Sequence, residues 1–317
     1  MKAENLRPLV GDLRQYASVR PLILDDGAER GQRALLFSTG GGLEFLVLPD
    51  RAMDIGWLSY RGVPVAWQSP GGLRSPHLTD ADSENGTGFN RSFSGLLVTC
   101  GLEHTRQPAG GAPLHGRLPG TPARLLAQGE DWDRTGPLLY CAGEAVQAAY
   151  GKECLRLTRR IESPIGGASL VIRDRVDNLG PDPTPHAILY HFNFGYPAIA
   201  SGSRVRLGAR DILGPVELPD ANAQPAVECY SCGQDDGASV VLQTPLHDQS
   251  DVELSVSFSA KTLPFVQIWH DLRPGVGVLA IEPCSTARDA DVGTDARRIL
   301  QPGEGVDYEV RISFSGA

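Results

Sequence analysis

Four short stretches carry side chains able to move protons or hold a polar ligand. "GAPLHGRLPG" sets His115 between Leu114 and Gly116 inside a frame of prolines, and "YHFNFGYP" carries His191 and Asn193. "FNRSFSG" supplies Asn90 and Arg91, and "LAIEP" ends an apolar run on Glu282. Imidazole and carboxylate are the usual partners in general acid and base work near neutral pH, so His115, His191 and Glu282 are the first candidates. Each has a plainer reading. A carboxylate after Val278, Leu279, Ala280 and Ile281 either emerges into solvent at a strand end or is buried with a partner and a shifted pKa. His191 between Tyr190 and Phe192 could be a hydrogen-bonded core histidine, and His115 a packed residue in a proline-framed turn. Pro113 and Pro119 restrict the backbone there and Gly116 removes bulk, which favours a rigid loop presenting the imidazole.

The elements that must position these groups read as strands. "GLEFLVLPD" (42–50), "GLLVTCGL" (95–102), "GASLVIRDRVDNLG" (167–180), "ASVVLQTP" (238–245), "DVELSVSFSA" (251–260), "GVGVLAIEP" (275–283) and "VDYEVRISFS" (306–315) mix β-branched and apolar residues between turn formers. With 37 Gly and 24 Pro and no collagen-like period, the composition agrees with many short strands joined by turns. Helix is expected only near "ENLRPLVGDLRQYAS" and around "DADSENGTGFNRSF". No strand is followed by an amphipathic helix of βαβ length, so the expected class is all-β, a large antiparallel β-sandwich, as a single domain over 1–317. The Pro-rich "LGPDPTPH" (179–186) reads as a turn between adjacent strands.

Charge and cysteine usage narrow the partners. A net charge of -9 with no basic, aromatic-interleaved patch argues against nucleic acid. No window approaches a membrane-spanning apolar run and the N-terminus lacks a secretory apolar region, so a cytoplasmic protein with no membrane partner is expected. Cys100, Cys141, Cys154, Cys229, Cys232 and Cys284 are then reduced thiols, and the single C-x-x-C at Cys229 and Cys232 lacks the second pair a structural zinc would want.

The order Arg, "PLHG", "HFN", "EP" along an all-β chain of this size resembles the aldose 1-epimerase, or galactose mutarotase-like, superfamily. More narrowly, "LPDRAMDIGWLSYRGVPVAWQSP", "FSGLLVTCGLEH", "YHFNFGYP", "QIW" and "LAIEP" are similar to its branch described as a domain of unknown function, and the similarity spans nearly the whole chain. The resemblance implies a β-supersandwich that interconverts the α and β anomers of a free sugar without metal, nucleotide or flavin, with room for a homodimer. It implies His191 as general acid, Glu282 as general base and His115 as a hydrogen-bonding partner near the sugar ring. Arg91, with Arg51 competing, would be the sugar-binding arginine. Asn193 and Trp269 would line the sugar, and Asp236, Asp235 or Asp271 would supply a sugar-binding aspartate. The galactose enzymes have one more residue between the second histidine and its Phe-Asn, so galactose itself is not implied. Acid and base should lie on different sides of one sugar. Two other functions fit the same residues: an isomerase or epimerase of an acidic or keto sugar, with Glu103, His104, His115 and His191 able to hold a divalent metal, and a carbohydrate-binding protein without catalysis.

Overall fold

Strict alternation writes the sheets. In "GVDYEVRISFS" the residues Val306, Tyr308, Val310, Ile312 and Phe314 are buried while Asp307, Glu309 and Arg311 face out, the period of two that a sheet with one wet face requires. The computed structural model describes residues 2–233, 236–245, 251–288 and 297–315. Five strands open the chain: β1 (Ser18–Ile23), β2 (Arg33–Ser38), β3 (Leu43–Leu48), β4 (Asp54–Tyr60) and β5 (Val63–Pro64), which form an antiparallel meander. Then come β6 (Leu97–Leu102), β7 (Arg124–Asp131), β8 (Leu138–Ala148), β9 (Cys154–Pro164), β10 (Ser169–Asn178) and β11 (Thr184–Phe194). They are followed by β12 (Arg204–Leu207), β13 (Arg210–Leu213), β14 (Ala226–Ser231), β15 (Ala238–Pro245) and β16 (Asp251–Phe258). The last are β17 (Phe265–Asp271), β18 (Val278–Cys284), β19 (Arg298–Leu300) and β20 (Gly305–Ser315).

A nine-stranded sheet runs β13-β12-β15-β16-β20-β10-β9-β8-β7, and a six-stranded sheet runs β14-β17-β18-β11-β19 with β6 paired to β11. The fold is thus mostly β, antiparallel sheets packed on one another. One apolar cluster joins all three: Phe45 and Leu58 from the first sheet, Ile172 and Val310 from the second, Phe192 and Ile281 from the third. Burying each such side chain is worth about 1.5–3 kcal/mol, so every sheet is held by the other two.

All seven strands read from the sequence are present. Helix is scarcer than the sequence suggests: a four-residue turn at Ala3–Leu6, a 3-10 turn at Leu13–Gln15, and around residue 90 a 3-10 turn at Gly88–Arg91. At Ser83–Gly86 the backbone of Glu84 and Asn85 is left-handed, with φ of 54° and 58°, which cannot propagate a helix. The Pro-rich stretch is not a turn between adjacent strands. It carries the chain from β10 in the nine-stranded sheet to β11 in the six-stranded one, and Thr184–His186 already pair with β19. Three prolines within six residues suit a strand that begins at a short-paired edge.

Candidate functional site

Register brings the chemistry together. β11 and β18 are antiparallel neighbours with Leu189 opposite Cys284 and Phe192 opposite Ile281, which sets His191 across from Glu282. On the next strand Gln267 opposes Glu282 and Trp269 opposes Ala280. Since alternate residues share a face, His191, Glu282, Gln267 and Trp269 stand on one side of the six-stranded sheet, while Phe192, Ile268 and Ile281 turn into the core. This polar face floors a cavity of about 820 Å³ walled by Phe89, Phe93, His104, Arg106, His115 and Arg288.

His191 Nε2 lies 3.3 Å from Glu282 Oε1, with both side chains buried. Gln267 Nε2 donates to Glu282 Oε2 at 3.0 Å, so the carboxyl is fixed from two sides. Burial pushes the Glu282 carboxyl up to about 8, with Arg106 and Arg288 pulling the other way. It drives His191 down to about 4, opposed by the neighbouring Asn193 amide. Near neutral pH the pair therefore holds one proton between carboxylate and imidazole. Asn193 is fully buried behind His191, its amide donating to the Gly95 and His191 carbonyls. His191 Nδ1 and Asn193 Oδ1 are both buried and both lack a hydrogen-bond partner among the described residues.

His115 arrives from the loop between β6 and β7, its ring 5.6 Å from that of His191 and perpendicular to it. Its Nδ1 is 2.9 Å from the Thr105 carbonyl, which can only accept, so Nδ1 carries the proton and Nε2 is left as an acceptor. Burial, then His191, depress its pKa to about 3. The loop is pinned: the Gly101 N–H donates to the His115 carbonyl and the His115 N–H to the Arg106 carbonyl. His115 itself has φ 61°, uncommon for a residue with a side chain. Next to it Gly116 has φ 75°, and a Cβ there would stand 2.3 Å from the Gly101 carbonyl oxygen and 2.4 Å from that of His104. Gly116→Ala is accordingly expected to lower stability by about 1–3 kcal/mol through strain and to displace His115; an unchanged thermal midpoint would contradict it.

The description "Domain of unknown function (DUF4432)" matches residues 29–314. The chain belongs to the DUF4432 family. No curated protein matches it. Solved structures share the fold over nearly the full chain. A Klebsiella pneumoniae protein provisionally described as an aldose 1-epimerase is 21% identical, with a TM-score of 0.75 over 99% of this chain and 86% of that one. A galactose mutarotase-like protein from Clostridium acetobutylicum is 14% identical, with a TM-score of 0.65 over 94% and 98%. A galactose 1-epimerase from Lactobacillus acidophilus is 13% identical, with a TM-score of 0.57 over 94% and 99%.

In this DUF4432 chain the sequence-predicted residues divide into two groups. His115, His191, Glu282 and Trp269 line the cavity. His191 and Glu282, the expected acid and base, are side by side in one cross-strand pair, where the sequence reading expects them on different sides of a sugar. Arg91 does not line the cavity: it is exposed and pairs with Glu84 at 2.6 Å, because the 3-10 turn that buries Phe89 and sets Asn90 at the cavity's edge turns its next residue away. Arg51 is buried behind the same segment and donates to the Ser92 carbonyl at 2.9 Å, a support for that turn. Asp236 is exposed and ion-paired with Lys261, away from the cavity. Asp271 is held by Arg273 at 2.6 Å, and Asp235 lies outside the described residues. Glu103 is tied to Arg117 and Gln147, and His104 Nε2 to the Gln107 carbonyl. Among the described residues no three His, Cys, Asp or Glu side chains group to hold a metal, and no helix is long and apolar enough to cross a membrane.

Gln267, Phe93, Arg106 and Arg288 also line the cavity, and sequence reasoning misses them. Gln267 does carry a signal, being two residues before Trp269 on the same strand face. Arg106 and Arg288 sit in irregular segments, where no periodicity tells which way a side chain points.

Proposed function

We propose that this cavity interconverts the anomers of a free sugar, with His191 and Glu282 as the acid and base pair. The observation that supports the reading is the 3.3 Å contact between His191 Nε2 and Glu282 Oε1 at the floor of a sugar-sized cavity. Ring opening acts on two oxygens bonded to one carbon, the anomeric hydroxyl and the ring oxygen, so acid and base must be close neighbours. Passing the shared proton from Glu282 to His191 creates imidazolium and carboxylate together. Glu282 then removes the anomeric hydroxyl proton, the C1–O bond to the ring oxygen breaks, its electron pair goes to that oxygen, and His191 protonates it. The pair is left as neutral imidazole and carboxylic acid, the state that burial already favours. Rotation about C1–C2 and the reverse transfers close the ring from the other face. Cost is low because the charged state lasts only while substrate compensates it. His115 Nε2 would accept from a sugar hydroxyl, and Trp269 and Phe93, with ring centroids 6.0 Å apart, would cover the sugar's C–H face.

Saturation-transfer NMR on a panel of free aldoses tests this directly: protein-dependent exchange between α and β signals is expected for at least one sugar. No exchange above the uncatalysed rate for any of them would overturn the reading. With the responding sugar, His115→Ala should weaken affinity by about 1–3 kcal/mol through an unpaired hydroxyl while barely changing the thermal midpoint. A large loss of stability with unaltered affinity would make His115 a packing residue.

A further inference from the structure

Resting on the sugar reading, we infer that the ligand is an anionic sugar, whose carboxylate or phosphate is met by Arg288 with Arg106 behind it. The chain as a whole is acidic, with a net charge of -9, yet the described lining of the cavity has two guanidinium groups and one carboxyl, that of Glu282. Among the described residues the lining is therefore net positive even with Glu282 ionised, a reversal of sign that a neutral hexose would not need.

Both cations are held by the segment that follows β18. Arg106 is buried and its Nη2 donates to the Thr286 carbonyl at 2.7 Å. Two residues further along, Arg288 reaches back so that Nη1 donates to Gln267 Oε1 at 3.4 Å. Gln267 in turn donates to Glu282. Arg288 is thus one side chain away from the acid and base pair, and its only hydrogen bond among the described residues is that long one to an amide. A guanidinium so placed keeps donors for a planar or tetrahedral anion and can meet it with two parallel N–H bonds. The protein's negative surface would repel such a ligand at long range, whereas the cavity attracts it at short range, where screening is weakest. A neutral sugar offers the same guanidinium no charge to pair with. Charge thus separates the two ligand classes.

The test compares D-glucuronate and D-glucose 6-phosphate with D-glucose, which share ring stereochemistry, in anomer-exchange kinetics and calorimetric titration at low ionic strength. One of the anions should be preferred over glucose by at least about tenfold in kcat/KM, and which one responds separates carboxylate from phosphate. Arg288→Gln should shrink that preference about tenfold. Equal or better exchange of glucose, or equal loss on all three sugars in Arg288→Gln, would overturn the inference. If no sugar exchanges but an anion binds in an Arg288-dependent manner, the anionic ligand stands and anomer interconversion falls. Absence of binding by both anions overturns the charge inference whatever glucose does.

Discussion

Glu282→Gln is expected to lower anomer exchange by about 10²-fold or more and to leave the chain folded, because it removes the proton acceptor while keeping shape and hydrogen bonds. The amide oxygen can still accept from Gln267, now at 3.0 Å from Oε2, and the amide N–H can donate to His191 Nε2 in place of the carboxylic acid. The same variant reports on stability with a definite sign. Folding raises the Glu282 pKa from 4.5 to about 8, so the folded chain keeps a proton that the unfolded chain releases. Stability from this group is full below pH 4.5 and is lost as pH rises through 8, at a cost on the order of a few kcal/mol. Glutamine escapes that cost. His191, lowered from 6.5 to about 4, acts the other way: its contribution is full above pH 6.5 and lost as pH falls through 4. Both proteins retain this acid-side loss. The difference in thermal midpoint between Glu282→Gln and wild type should therefore be smallest at and below pH 4.5, grow in favour of the variant up to about pH 8, and level off above it. A difference independent of pH would mean that the carboxyl is not held protonated, and wild-type exchange in the variant would remove Glu282 from the chemistry. Gain in stability together with loss of turnover is the pattern expected where a buried group is kept for its reactivity.

Period-two patterning and motif order make much of this molecule legible. "LAIEP" and "YHFNFGYP" are strand ends with Glu282 in the one and His191 and Asn193 in the other set among apolar residues, and on antiparallel neighbours such residues meet if the register allows. Register is what the sequence leaves open: nothing in either segment says that His191 faces Glu282 rather than a residue two places away, since both offsets keep the core face buried. Loop residues are less readable. Arg91 stands at a suggestive distance upstream of His115, but a 3-10 turn rotates successive side chains through about a third of a circle, so Phe89 and Asn90 reach the cavity and Arg91 does not. Asp236 has only its residue type to recommend it, and its ion pair with Lys261 gives it an ordinary surface place. The long strands β8 and β9 are masked by their numerous polar residues, although Leu155, Leu157 and Ile161 alternate cleanly on β9.

That alternation carries the other large expected effect, since it puts Arg159 on the inward face between Leu157 and Ile161, only 1% exposed. Its guanidinium grips Asp174 through Nε at 2.9 Å and Nη2 at 2.6 Å, reaches Asp54 through Nη1 at 2.8 Å, and donates from Nη2 to Thr99 Oγ1 at 2.9 Å. Tyr190, the residue before His191, donates its hydroxyl to Asp174 at 2.7 Å. One cation thus ties β4, β6, β9, β10 and β11 together behind the cavity floor. Arg159→Leu strips two buried carboxylates of the cation they share, and is expected to destabilise the chain by about 3–5 kcal/mol. Because this variant could fail to fold altogether, a second one keeps the argument open to refutation: Arg159→Leu combined with Asp54→Asn and Asp174→Asn should recover part of the loss by removing the stranded charges. Denaturant titration of both proteins measures the difference. If the triple variant were no more stable than the single one, the cost would lie in lost packing and hydrogen bonds rather than in charge. If Arg159→Leu unfolded at the wild-type midpoint, the network would not be what fixes β11, and the placement of His191 would have to rest on the sheet register alone.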